Sequence, residues 1–480
     1  MVIPALEHLM GKTKSHIIYT ELFSDFHTPI SILDKLKKQS EHSFLLESVN
    51  ETENWGRYSY IGYEPRKSVV VKDGQTYING ETTNKPVEDA IKSELTKYAY
   101  TKQTGLPPFT GGFVGYFSYD SIQYFEKAIK MRKPKAYDAS DIELLLFDVV
   151  IAFDHLKKKI FVMKNILSDN LEQNYREGAT EIKVIVDLIQ TGYHPKFQPT
   201  DIGEFKPNMS KPDYCKKVLK AKQRIREGDI FQVVLSQRFS APIKGDLFNT
   251  YRYLRTINPS PYMFYFISSD IEVAGASPET LVHVVDNNVK TFPIAGTRHR
   301  GQTPEEDTAL EKELLEDEKE LAEHNMLVDL GRNDSGKVCE FGSVNVKDYM
   351  KVKRFSKVMH ITSLVEGTLT SKRTSLDALK AIIPAGTLSG APKIMACNII
   401  DELEPTKRGL YGGAIGYINF NLDMDMCITI RTAVKYNDNV HVQAGGGIVN
   451  DSDPEAEYNE TIYKASAMIE AIKSANKVGM

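Results

Sequence analysis

The chain has 480 residues, with 60 Lys and Arg against 64 Asp and Glu, a formal net charge of −4, and 41% hydrophobic, 10% aromatic and 26% charged residues. These are globular proportions, and the length allows two or three domains at about 150 residues each. The slightly acidic balance excludes non-specific binding to nucleic acid or to an anionic membrane surface, which needs a basic stripe, so an anionic ligand must be held by a few placed cations.

Met1 to Met10 mixes Ile3, Leu6 and Leu9 with Pro4, Glu7 and His8, unlike a signal peptide, and no apolar run approaches membrane-spanning length. From about Ile17 to Ile166 the pattern is mainly strands and turns, including Ser68-Val69-Val70-Val71 and the run Leu144 to Phe153, which reads as one buried strand. A helix is expected from about Asn170 to Thr191. Gly192 to Lys211 then reads as a linker and divides an N-terminal part, 1–200, from a C-terminal part, 201–480. Pro212-Asp213-Tyr214 opens an amphipathic helix carrying Val218, Ala221 and Ile225 that Gly228 terminates, and Ile230 to Ser236 follows as a strand. Thr303 to Glu323 alternates charge around Leu310, Leu314 and Leu321, the pattern of a salt-bridged surface helix. A Pro- and Gly-rich turn, Ile383 to Pro392, leads into a helix from Lys393 to Leu403. Strands at Tyr411 to Phe420 and Cys427 to Lys435, a glycine turn at 445–447 and a helix from about Pro454 to Ala475 complete the chain. Cys215, Cys339, Cys397 and Cys427 have neither zinc-site nor disulfide-framework spacing, so the chain reads as cytoplasmic with reduced thiols.

Two acidic pairs, Glu320-x-x-Glu323 and Glu457-x-x-Glu460, each put both carboxylates on one helical face. They are either solvated helix faces or, taken together, an oxygen-donor set suited to Mg²⁺, which binds a carboxylate or two and keeps waters. Gly445-Gly446-Gly447 is a flexible turn or a place where amides approach an anion, and neither a P-loop nor a dinucleotide fingerprint follows it. His360 is a structural strand histidine or a proton carrier near neutral pH. Arg431 is a charge inside an apolar strand, which demands a carboxylate from the protein or a ligand. Lys464, four residues after Glu460, is at least an i,i+4 salt-bridge candidate.

The order of motifs resembles the chorismate-utilising enzymes, most closely the anthranilate synthase component I family. The residues that carry the resemblance are Ala276-Ser277-Pro278-Glu279, Pro293 to Arg298, Ala322-Glu323-His324, Leu327 to Asp334, Val358-Met359-His360, Pro384 to Lys393, Tyr411 to Ala414, and Asp451 to Glu455 before Glu460. The match is dense from about Phe231 to Ala465. Salicylate and isochorismate synthases of this family carry a lysine where Gln232 stands, and aminodeoxychorismate synthases typically carry one where Ala295 stands. Without either lysine the nucleophile must arrive already reactive, as ammonia does. Aminodeoxychorismate synthase and a non-catalytic tryptophan-binding scaffold are the alternatives. Gly446 stands where the family commonly has alanine, and His299 where it commonly has proline.

The resemblance implies an α+β fold, two antiparallel β-sheets packed face to face with helices on the outside. It implies Mg²⁺ on Glu323 and Glu460, with Glu320 and Glu457 holding its waters, and a chorismate site formed by Gly296, Thr297, Tyr411, Arg431, Gly445, Gly446, Gly447 and Lys464. Glu279 is the candidate acid and His360 the candidate base, and Thr297 is expected to be catalytic with them. Leu45-Leu46-Glu47-Ser48 and Asn258 to Met263 resemble the two halves of a tryptophan feedback site, which assigns Ser48, Pro261, Tyr262 and Met263 to an inhibitor pocket between the N-terminal and central parts. The chain lacks a glutaminase motif, so ammonia is expected from a separate glutamine amidotransferase subunit in a hetero-oligomer.

Overall fold

The structure is a computed structural model and describes residues 2–9, 13–48, 56–98, 102–192, 200–354 and 358–477. Its β-branched and aromatic runs pair antiparallel into two large sheets, one of thirteen strands and one of twelve. The first passes from Ser15–Phe23 through Lys159–Leu167, Val149–Asp154, Tyr58–Tyr63, Ser43–Glu47, Tyr262–Ile267, Ile271–Ser277, Thr432–Tyr436 and Asn439–Ile448 to Gln232–Lys244. The second has Ile294–His299 at one edge, then Val358–Thr368, Asn288–Thr291, Thr280–Val285, Met424–Ile428, Ala414–Asn419, Gly112–Phe117, Ile142–Phe147 and Lys67–Lys72. Both sheets draw strands from either side of residue 200, so the parts 1–200 and 201–480 share both layers. Within the expected linker, 193–199 lie outside the described residues, while Asp201–Ile202 and Lys206–Pro207 pair with Gln232–Lys244.

The sheets meet face to face over one apolar layer, in which Phe44, Phe264 and Val273 of the first pack on Val114, Phe147 and Ile415 of the second. Helices Pro29–Leu36, Leu171–Gln190, Phe248–Ile257 and Pro454–Lys473 cover the outer face of the first sheet. Val87–Leu95 and Ser375–Ile382 cover the second. This is the expected α+β layering. Each element leaves water by packing on the next layer. No helix among the described residues is long and apolar enough to cross a membrane.

Several local expectations change. Leu144 to Phe153 is two strands in different sheets, Ile142–Phe147 and Val149–Asp154, broken at Asp148. The Asp148 carboxylate accepts from Lys164 Nζ at 2.9 Å and Arg66 Nε at 2.8 Å. Strands buried on both faces read as continuous apolar runs, so periodicity does not mark the break. Cys427 to Lys435 divides likewise, into Met424–Ile428 and Thr432–Tyr436, and Arg431 stands between them with φ +52°. Arg431 is therefore at a crossing between sheets, not inside a strand. A third crossing lies between Ile271–Ser277 and Thr280–Val285, at Pro278-Glu279.

The charged segment 303–323 is also broken, because Asp317 ends Pro304–Glu316 and caps Glu318–Gly336 by accepting from the Lys319 and Glu320 amides. Leu314 is fully buried against Met359 and Ile361, while Arg298 bridges Glu313 and Asp317, as a salt-bridged surface helix requires. The glycines 445–447 form no turn. They continue the strand Asn439–Ile448, opposite Ser236, Leu235 and Val234.

Candidate active site

Two of the crossings, at Pro278-Glu279 and at Arg431, run alongside each other. The Ala276 amide donates to the Arg431 carbonyl at 3.1 Å, and the Ile428 amide donates to the Glu279 carbonyl at 3.0 Å. From Arg431 a chain of contacts runs around a cleft at the ends of the strands. Tyr411 accepts from the Gly445 amide and feels the Arg431 charge, and Lys464 Nζ donates to the Gly445 carbonyl at 3.2 Å. Gly446 lies under the Glu457 carboxylate, and beside Gly447 Gln232 Nε2 donates to Glu323 Oε1 at 3.3 Å. Glu320 reaches Gly296, whose φ of +67° accommodates an irregularity in the pairing of Ile294–His299 with Val358–Thr368. His360 stands opposite Thr297 in that pair, and Arg431 acts on its charge, which closes the ring. His299 is exposed.

The strand demands glycine at 445–447 for space. A Cβ at Gly445 would stand 2.8 Å from the Leu235 carbonyl oxygen, 3.0 Å from Ser236 Cβ and 3.0 Å from Tyr411 Oη. At Gly446 the only close neighbour is the far end of Glu457, at 2.7 Å, which can swing aside. Gly446→Ala is therefore expected to fold and turn over within about threefold of the parent, whereas Gly445→Ala should lose roughly 1–3 kcal/mol of stability by overpacking. Denaturant unfolding of the two variants checks the order, and equal losses would contradict it.

Acid and base are set by burial. The Glu279 carboxyl is fully enclosed, and desolvation pushes its pKa up to about 8 against the opposing hydrogen bond from Thr387 Oγ1 at 3.0 Å. It is therefore protonated at neutral pH and faces a cavity of about 50 Å³ lined by Thr291, Pro293, Leu327 and Thr387. Burial, helped by the Arg431 charge, holds His360 below the ordinary imidazole range despite the opposing Gly296 carbonyl, so the ring is neutral at neutral pH. Nδ1 lies 2.9 Å from the Gly296 oxygen and 3.0 Å from Thr297 Oγ1. Donation to the carbonyl puts the ring proton on Nδ1 and the basic lone pair on Nε2. His324, beside Glu323 in sequence, is wholly buried, pushed down to about 4 and bonded to Ser363 Oγ at 2.7 Å, a structural histidine.

Two carboxylate pairs stand on the other side of the ring. Burial and Glu323 push Glu320 up, burial and Glu460 push Glu457 up, and Glu457 Oε2 is buried with no hydrogen-bond partner among the described residues. Lys464 Nζ pairs with Glu460 Oε1 at 2.6 Å, so the i,i+4 bridge is present together with the Gly445 contact. Among the described residues no three His, Cys, Asp or Glu side chains converge closely enough to ligate an ion as they stand. An orphaned carboxylate oxygen within an all-oxygen donor set fits a hard divalent cation that keeps most of its waters. Arg431 Nη1 meets the Lys464 carbonyl at 3.3 Å, and no carboxylate forms an ion pair with its guanidinium among the described residues.

Ser48, Pro261, Tyr262 and Met263 all line one cavity of about 320 Å³ between the sheets, away from the ring. Tyr262 Oη donates to Asp425 Oδ1 at 2.8 Å and lies 3.0 Å from Thr280 Oγ1, while Ser48 Oγ is buried without a partner among the described residues. Sequence reasoning missed the residues behind the walls. Thr387 stood inside a quoted motif with no role, Ser236 was named only as a strand end, and Glu404, Arg408 and Tyr119 drew no notice. The signal was present in Glu404 and Arg408, opposite charges at i,i+4 just beyond a helix end.

Comparison with known proteins supplies the kinship. Residues 41–470 match the model of the chorismate binding enzyme family. Anthranilate synthase component 1 of Acetivibrio thermocellus is 46% identical with all of both chains covered, and that of Aquifex aeolicus is 44% identical over 96% of this chain and 95% of its own. The crystal structure of anthranilate synthase component I from Streptococcus pneumoniae superposes with a TM-score of 0.75 at 40% identity, covering 88% of this chain and 94% of that one. The menaquinone-specific isochorismate synthase MenF of Escherichia coli, 19% identical, shares the fold with a TM-score of 0.73 over 97% of both chains. On full-length identity and on the arrangement of its cleft, the chain belongs to the chorismate-binding enzymes, in their anthranilate synthase component 1 branch.

Proposed function

We propose that the chain converts chorismate and ammonia to anthranilate and pyruvate as the larger subunit of a cytoplasmic hetero-oligomer, in which a separate glutamine amidotransferase subunit supplies the ammonia. The observation that carries the reading is kinship over the whole length with anthranilate synthase component 1, joined to a buried Glu279 carboxyl that Thr387 hydrogen-bonds and whose pKa desolvation pushes up to about 8. Departure of the chorismate hydroxyl needs such an acid. The four unpaired cysteines accord with a reducing compartment.

In this reading Arg431 and Lys464 meet the substrate carboxylates, and Tyr411, Gly296, Thr297 and the glycine strand shape the pocket, so that orientation and fixed charge do most of the work. Glu323 and Glu460 would hold Mg²⁺, with Glu320 and Glu457 on its waters. The bound ion supplies positive charge for the ring carboxylate. Ammonia forms a bond to ring carbon C2 while the C4–O bond breaks and Glu279 gives its proton to the departing hydroxide. His360 Nε2 then takes the C2 proton as the C3–O bond breaks, the ring aromatises, and the enolpyruvate that leaves on that oxygen takes up a proton at its methylene carbon to become pyruvate.

Tryptophan is assigned to the inter-sheet cavity. Leu46, Tyr58, Pro261 and Met263 offer an apolar wall, and Glu47, Asp425, Arg57 and Lys102 offer charges for an amino acid's two ionic ends. Ser48→Leu is expected to fill that cavity, raise the tryptophan concentration for half-inhibition roughly tenfold or more, and leave turnover without tryptophan near the parent. Inhibition curves check this, and unchanged tryptophan sensitivity would remove Ser48 from the site. The function itself is tested by incubating the chain with chorismate, Mg²⁺ and an ammonium salt at alkaline pH while following anthranilate fluorescence. A rising signal that tryptophan suppresses is the expected result.

A further inference from the structure

We infer that the buried Glu404–Arg408 ion pair positions the substrate wall of the active site, holding Tyr411 and the Gly445–Gly447 strand in place without touching the substrate. The Arg408 side chain is 1% exposed and every arm of its fork is used. Nε and Nη2 donate to the Glu404 carboxylate at 3.0 and 2.6 Å, Nη2 also donates to the Val234 carbonyl at 2.7 Å, and Nη1 to the Leu388 carbonyl at 2.6 Å. Its guanidinium carbon lies 4.5 Å from the Tyr119 ring centre and 5.6 Å from that of Tyr411. Glu404 Oε1 in turn accepts from the Ser236 amide at 2.8 Å and from Ser236 Oγ at 2.9 Å, and Gln443 Nε2 donates to Ser236 Oγ at 2.8 Å.

These bonds tie together segments distant in sequence, and each segment leads to a residue of the proposed reaction. Val234 and Ser236 pair in register with Gly447 and Gly445. Gln443 is two residues from Gly445 on the same strand. Leu388 follows Thr387, which donates to Glu279. Tyr411, three residues beyond Arg408, closes against Gly445. A buried ion pair is weak evidence for stability, because desolvation offsets most of the attraction, and fixing one arrangement among near-equals is its best-attested role. Lysine cannot reproduce the planar fork and would have to give up several of the four contacts at once.

The inference rests on the chorismate-converting reading and has its own test. Kinetics of Arg408→Lys and Ser236→Ala are measured well below each variant's melting temperature, with the folded fraction read by circular dichroism. For Arg408→Lys the account expects chorismate KM to rise roughly tenfold, with kcat also falling and ammonia KM unchanged. Ser236→Ala, which removes one hydroxyl and is expected to fold, should raise chorismate KM about threefold. If Arg408→Lys does not fold, Ser236→Ala decides. Activity that merely tracks the folded fraction at unchanged chorismate KM would overturn the positioning role. A parent chain inactive on chorismate would instead overturn the underlying reading.

Discussion

His360→Ala is expected to consume chorismate and yet release almost no anthranilate, accumulating the aminated, non-aromatic intermediate. The imidazole is neutral at neutral pH because burial and Arg431 hold its pKa down, and its Nδ1 contact with Gly296 presents Nε2 as the base. Only the second half of the reaction needs that base, since addition of ammonia and loss of the hydroxyl are assigned to an already reactive nucleophile and to Glu279. Loss of a positioned general base costs roughly 10²–10⁴ in rate, so anthranilate formation should fall by that factor while chorismate decay falls little. Rapid-quench chromatography of the reaction separates the two rates. If anthranilate appears as fast as chorismate is lost, His360 is not the base.

Glu279→Gln is expected to act on both halves of a pH argument. As an acid with pKa about 8, Glu279 is competent up to that pH, so at constant free ammonia the parent's kcat should decline above about pH 8. The amide variant should lose about 10²–10³ in kcat and show no such decline. In stability the sign reverses. The folded carboxyl binds its proton more tightly than the unfolded one, raised from 4.5 to about 8, so the fold loses stability as pH rises through that window. For a fully buried group the loss amounts to a few kcal/mol. Glutamine does not ionise, and the variant's melting temperature relative to the parent should climb between pH 5 and 9. A difference that stays flat with pH would show that Glu279 titrates like an exposed carboxylate.

The layering was legible through the motifs more than through periodicity. Helices came through well where an end signal stands beside an apolar stripe, as at Lys211–Arg226, closed by Gly228 with φ +84°, and at Lys393–Leu403. The crossings between sheets did not come through. Asp148 and Arg431 each interrupt runs of buried strand, and one polar residue in such a run looks like an anomaly within a strand. The anomaly was the message, since Arg431 belongs to the ring of candidate site residues. Gly445–Gly447 misled for a related reason. Glycine runs usually mean turns, but here the strand is pressed between Tyr411, Glu457 and Gln232, and no side chain fits at Gly445. Carboxylate spacing gave the faces of Glu320-x-x-Glu323 and Glu457-x-x-Glu460, while the approach of Glu323 to Gly447 and of Glu457 to Gly446 depends on tertiary packing that no local pattern encodes.

The central claim is that this cleft puts ammonia on ring carbon C2 and aromatises the product. It is tested most directly by turning over chorismate with isotope-labelled ammonium and identifying the labelled product by NMR and mass spectrometry. The account predicts labelled anthranilate and an equimolar amount of pyruvate. Label in the 4-amino isomer with no pyruvate, or chorismate returned unchanged when the amidotransferase subunit is also present, would contradict it.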